Sequence, residues 1–204
     1  MFRRRLPRRP FRPLRRRPMP PGFGPLGRPL AAKLREILAR ANRLMAEGQF
    51  AEAAAIYERL YQEGAERGFV GRAADLALQA ARAYLAAGDI QAALGHAKEA
   101  LRLLAHSDRV GRIPRVLSKM TAKLREMGYA AQADELEQEA ERILGEVGLS
   151  LEEAEQQAPR MPEKPGTLPA KCDGCAAPVF PDEVEWHDAQ TAECPYCGTV
   201  LKAT

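Results

Sequence analysis

All four cysteines of this 204-residue chain lie between positions 172 and 197, in two pairs: Cys172-Asp173-Gly174-Cys175 and Cys194-Pro195-Tyr196-Cys197-Gly198. In a C-x-x-C turn the two intervening residues bring both sulfurs to one ion, and backbone N–H groups of the turn donate to those sulfurs. Eighteen residues separate the pairs, a spacing at which both turns can share a single ion. Four thiolates form a soft, tetrahedral donor set, which suits zinc at about 2.3 Å per bond. A disulfide framework would scatter its cysteines through the fold it staples, so this clustering reads as metal ligands in a reducing, cytoplasmic compartment. His187 is the one histidine between the pairs, but four sulfurs already complete a tetrahedron.

Other chemistry finds few residues to perform it. The chain has three histidines (His96, His106, His187) and three serines (Ser107, Ser118, Ser150). No G-x-S-x-G, phosphate loop or H-E-x-x-H occurs. A fully cysteinyl site also leaves no open coordination position for water. The sequence therefore predicts a protein that is not an enzyme.

The elements expected to hold the cysteines are short. Val179-Phe180 and Val184-Glu185-Trp186 read as strands joined by a turn at Pro181-Asp182-Glu183, with Val200-Leu201 as a third strand. With its C-P-Y-C-G knuckle, the segment 170–204 resembles the zinc ribbon family, departing from it at Ala176, where glycine is common. The resemblance implies one structural zinc ion on Cys172, Cys175, Cys194 and Cys197. Rubredoxins use the same knuckles to bind iron, but with a longer spacer and more aromatic residues, so zinc is preferred over iron. So short a segment with so few apolar residues cannot fold on a core of its own, and metal binding is expected to supply its folding energy. Chelation should then unfold 170–204 and leave the remainder intact.

The remainder repeats itself. Gly48-Gln49-Phe50-Ala51-Glu52-Ala53 matches Gly88-Asp89-Ile90-Gln91-Ala92-Ala93 and, more weakly, Gly128-Tyr129-Ala130-Ala131-Gln132-Ala133, with the glycines forty residues apart. Leu34, Ile37, Leu38, Ala41, Leu44 and Met45 recur at helical spacing, as do Ala53, Ile56, Tyr57, Leu60 and Tyr61. Each unit thus reads as two helices around a glycine turn, and three stacked units can bury a face that one cannot. Residues 31–147 resemble the tetratricopeptide repeat family, with small residues in the first helix and a G-x-(aromatic)-x-x-A step at the turn. The period of forty exceeds that family's thirty-four, and the unit-closing proline is missing. The expected fold is mainly α: an αα-solenoid of three two-helix repeats over 31–157, plus a small β zinc ribbon over 170–204. Ser150-Leu151-Glu152-Glu153 fits a capping box that opens a short closing helix.

Charge divides between the two helix sets. The first helices (31–47, 70–87, 109–127) carry twelve basic and four acidic residues, the second (49–67, 89–106, 129–147) five basic and twelve acidic. The tetratricopeptide resemblance implies that the first helices line a concave groove. Arg35, Asn42, Asp75, Arg82, Arg115 and Arg125 are its candidate residues, and an acidic peptide or protein is the expected partner.

Ten arginines and no acid occupy residues 1–30, interleaved with eight prolines, so the net charge of +4 conceals about −6 over 31–204. Such a composition predicts a disordered tail. Four prolines between 158 and 169 read as a linker, and no apolar run is long enough to span a membrane. The expected function is a protein–protein interaction adaptor, with the ribbon as second contact module. The alternative is a nucleic-acid-binding or transcription- or ribosome-associated protein that uses the tail and the ribbon.

Overall fold

The computed structural model describes residues 27–158 and 162–204; most of the arginine- and proline-rich tail lies outside them. Among the described residues, seven α-helices pack against one another, and a three-stranded antiparallel sheet follows. The helices are α1 (Gly27–Ala46), α2 (Phe50–Glu66), α3 (Val70–Ala87), α4 (Ile90–Ala105), α5 (Ile113–Glu126), α6 (Ala130–Glu146) and α7 (Leu151–Gln156). A single 3-10 turn (Val110–Arg112) leads into α5. The first helix already runs through residues 27–30, ahead of position 31 where the pattern placed its start.

The forty-residue period resolves into one of twenty. Gly48, Gly68, Gly88, Gly128 and Gly148 all have positive φ, between 74° and 86°, each just past a helix end. In each case the residue after the glycine donates back to a carbonyl in the last helical turn, as Asp89 N does to Tyr84 O at 3.0 Å. This closes the helix with its last carbonyls satisfied, in a left-handed position that glycine reaches without steric cost. The fourth place in the series is Asp108, and there the chain runs through the 3-10 turn instead.

Neighbours in sequence are neighbours in space: α2 packs on α1 and α3, α3 on α4, and α5 on α6, while α4 also meets α6. Alanine makes the close approach possible in the middle of the layer. Ala73, Ala74, Ala77, Ala80, Ala81 and Ala83 of α3 are all fully buried, so this helix has no solvent face along most of its length. The Ser150 capping box forms on both sides, with Glu153 N donating to Ser150 Oγ and Ser150 N to the Glu153 carboxylate. The helix it opens, α7, packs on the 3-10 turn, α5 and α6. A Cβ at Gly111 would lie 2.2 Å from the Gln157 carbonyl oxygen, so only glycine admits the end of α7 there.

The sheet comprises β1 (Glu185–Trp186), β2 (Thr191–Glu193) and β3 (Val200–Lys202), with β2 central. Trp186 pairs with Ala192, and Ala192 with Leu201. Two sequence expectations shift here. Val179-Phe180 is not a strand but flanks a lone bridge between Lys171 and Pro178, because prolines at 178 and 181 withhold the donors a ladder needs. Thr191–Glu193, too short and too polar to register as a pattern, forms the middle strand with only Ala192 turned inward.

Two apolar clusters hold most of the chain. One joins α3 to α7 through Leu94, Leu101, Leu104, Ile113, Leu124, Leu136 and Ile143. The other is shared: Leu38, Ala41, Leu44, Tyr57, Leu76 and Ala80 pack with Cys172, Cys175, Ala177, Tyr196 and Leu201. The cysteine-bearing segment thus shares a core with α1, α2 and α3. Among the described residues, no helix is long and apolar enough to cross a membrane.

Candidate metal centre

The four sulfurs converge. All lie within 4.8 Å of one another, and three of the four cysteines are buried. Cys172 Sγ and Cys197 Sγ are 3.6 Å apart, Cys175 Sγ and Cys194 Sγ 3.8 Å. A tetrahedron with metal–sulfur bonds of about 2.3 Å has edges of about 3.8 Å, whereas a disulfide requires about 2.05 Å. The spacing fits a four-thiolate metal site, and all four residues are free thiols.

Titration behaviour fits the same group. Hydrogen bonds to Cys194 and Cys197, together with burial, push the Cys175 thiol far up, while bonds accepted from Cys175 and Cys194 pull Cys197 far down. A divalent ion at the centre lets all four ionise. Gly174 N donates to Cys172 Sγ at 3.3 Å, and a Cβ at Gly174 would collide with Thr199 Oγ1 at 2.1 Å. The first knuckle turns at Ala176, whose φ of 57° is the one positive value among described non-glycine residues; the second turns at Gly198, φ 72°. A left-handed alanine costs about 1 kcal/mol. Ala176→Gly is therefore expected to raise the unfolding midpoint of the sheet, read by Trp186 fluorescence, by an amount worth about 0.5–1 kcal/mol. An unchanged or lower midpoint would contradict the strain.

Helices α1, α3 and α5 and the loop before α5 grip this segment along a polar seam. Asn42 of α1 donates to Cys175 O at 2.7 Å and accepts from Tyr57 OH at 2.7 Å. Arg72 pairs with Glu193 at 2.9 Å, and Gln79 donates to Tyr196 OH at 2.6 Å. Arg82 binds Glu183 through both terminal nitrogens, at 2.7 and 3.2 Å, and Lys119 adds a contact at 3.1 Å. Arg109 meets Glu185 at 2.5 Å, Arg115 donates to Asp182 O at 2.6 Å, and Lys119 also pairs with the Asp182 carboxylate. Behind them Asp75, 1% exposed, receives Arg109 at 2.6 Å and Arg112 at 2.5 Å.

Glu183 is the most heavily engaged acid of the seam. Burial pushes its carboxyl up, but the hydrogen bonds and charge of Arg82, with Lys119, outweigh this and hold it at about 2, below the ordinary 4.5. A pKa lowered by folding contributes stability that is complete above about 4.5 and is lost as pH falls towards 2. Glu183→Gln is expected to lower stability at neutral pH by about 1–3 kcal/mol, and the gap from the parent should close as pH falls through that window. Acid release of metal affects both proteins alike, so a gap that ignores pH would refute the assignment.

Of the groove residues proposed from sequence, Asn42, Arg82 and Arg115 bond directly to the cysteine-bearing segment, and Asp75 anchors Arg109 and Arg112 beneath it. Arg125 turns instead to Asp134 and Glu137 of α6, at 2.8 Å each. Arg35 stands half-buried on α1. Sequence reasoning passed over Arg72, Gln79, Arg109, Arg112 and Lys119. The excess of cations on the first helices, set against Asp182, Glu183, Glu185 and Glu193, was the signal that could have found them.

No protein-family model, curated protein or solved structure matches the chain.

Proposed function

We propose that the chain is a non-catalytic protein–protein interaction adaptor: a tetratricopeptide-like solenoid of three two-helix repeats carrying a zinc ribbon with one structural zinc ion. The observation that carries this reading is the seam. Side chains of α1, α3 and α5 bind polypeptide by the means such a groove would use on a partner: an amide on a main-chain carbonyl (Asn42) and arginines on carboxylates (Arg72, Arg82). Four sulfurs on one ion leave no coordination position for a substrate, which favours a structural over a catalytic metal. Free thiols in the site suit the cytoplasm.

Affinity capture with the full chain, both metal-loaded and chelator-stripped, tests the reading. A protein partner retained by either form after deletion of residues 1–26 supports the adaptor. Its ten arginines within residues 1–30 favour one alternative, binding to nucleic acid. Capture of nucleic acid alone, lost with salt and with that deletion, would replace the adaptor by this second reading.

A further inference from the structure

The seam also specifies what kind of partner the helical face takes. Its occupant is a turn, Pro181 to Glu185, that presents three carboxylates within four residues. Arg82 from α3, Arg109 before the 3-10 turn, and Arg115 and Lys119 from α5 receive that turn as one row of cations. The guanidinium of Arg82 is bidentate on Glu183, the geometry that selects a carboxylate over a diffuse negative field. An open cleft of about 700 Å³ continues along α5 beside the turn, lined by Arg112, Arg115, Ser118 and Trp186. The row is thus continuous with accessible space rather than sealed under the segment.

What keeps the turn in place is the knuckle behind it. Tyr196 lies between Cys194 and Cys197, is 6% exposed, accepts from Gln79 and donates to Glu183 at 3.2 Å. If the four thiolates lose their metal, the second knuckle loses its shape and Tyr196 its position, and Glu183 is no longer preorganised against Arg82. Arg82 and Lys119 would then face solvent without the carboxylates they hold now, and Arg115 without the Asp182 carbonyl, while Asp75 would still hold Arg109 and Arg112.

We infer that the chain's own acidic turn is a metal-dependent plug in a receptor for acidic protein segments. With metal bound the row is filled from within. With metal removed it accepts a partner segment of the Asp-Glu-x-Glu type. This inference rests on the adaptor reading and deepens it by naming the partner's chemistry and the condition for its entry. After metal loss the chain's own turn remains tethered and competes, but as a flexible peptide rather than a fixed one.

The test uses the full chain, metal-loaded or chelator-stripped under reducing conditions, and fluorescence polarisation of two synthetic peptides. One has the sequence of residues 180–186; in the other its three carboxylates are replaced by amides. The acidic peptide is expected to bind the stripped chain about tenfold or more tighter than the loaded chain. The amide peptide should not bind, and Arg82→Glu should remove binding with helical circular dichroism unchanged. Equal affinity in both metal states, equal binding of both peptides, or collapse of the helical signal on stripping would each overturn the inference. Failure here is separable from failure of the adaptor reading: a protein captured equally by loaded and stripped chain leaves the adaptor standing and removes the plug.

Discussion

Stripping the metal from the full chain, or replacing Cys194 with serine, is expected to unfold the cysteine-bearing segment while the helices persist. The two parts report separately. Trp186, the chain's only tryptophan, lies in β1 with its indole N–H donating to Pro181 O at 2.8 Å, so its fluorescence follows the sheet. Far-ultraviolet ellipticity is dominated by the seven helices. A structural four-thiolate zinc site supplies about 10–16 kcal/mol of apparent binding energy, more than so small a segment can replace by other means. The helices should nonetheless be affected, because Leu38, Ala41, Leu76 and Ala80 would lose Cys172, Cys175, Tyr196 and Leu201 as packing partners. Their melting temperature should fall by roughly 2–4 °C for each kcal/mol of burial lost. A Trp186 signal indifferent to chelation, with no stoichiometric metal in the purified protein, would sink the metal assignment.

Asp75→Ala is expected to destabilise the metal-loaded chain by about 3–5 kcal/mol, the usual cost of removing one member of a buried ion cluster. The carboxylate is 1% exposed and its two oxygens receive one arginine each. Deleting it leaves Arg112 half-buried without its acid, while Arg109 keeps Glu185 and the carbonyl of Gly71. The loss arises from the stranded charge more than from missing attraction. Asp75→Ala combined with Arg112→Met should therefore recover a large part of it. Denaturant titration followed by ellipticity reads both variants. A loss below about 1 kcal/mol for the single change would mean that water reaches the cluster.

The sequence made the individual parts legible, because each has a local signature. The glycine turns, the alanine-rich helical faces, the Ser150 capping box and the paired C-x-x-C motifs all encode their geometry within a few residues. The seam left no such trace. Asn42 and Cys175 stand 133 residues apart, and neither is unusual in its own surroundings. The low apolar content of 170–204 was legible as a deficit, and metal was expected to make it good. The structure adds a second source of stability: Tyr196, Leu201 and the cysteines themselves pack on α1, α2 and α3. Asp75 read as one more groove residue. Its burial depends on Arg109 and Arg112 arriving from beyond α4, in the one connection that breaks the glycine series.

The long span between Asn42 and Cys175 also bears on how the molecule assembles. Helix pairs that touch their neighbours in sequence form quickly, whereas a contact across 133 residues must close a large loop first. Docking should be the last and slowest step of refolding, with a rate that responds to free metal concentration. On the ribosome the order is imposed by translation: the helical layer can be complete before Cys194 has been added. During that interval Arg82 and Lys119 lack the carboxylates of Asp182 and Glu183, which are added more than sixty residues later.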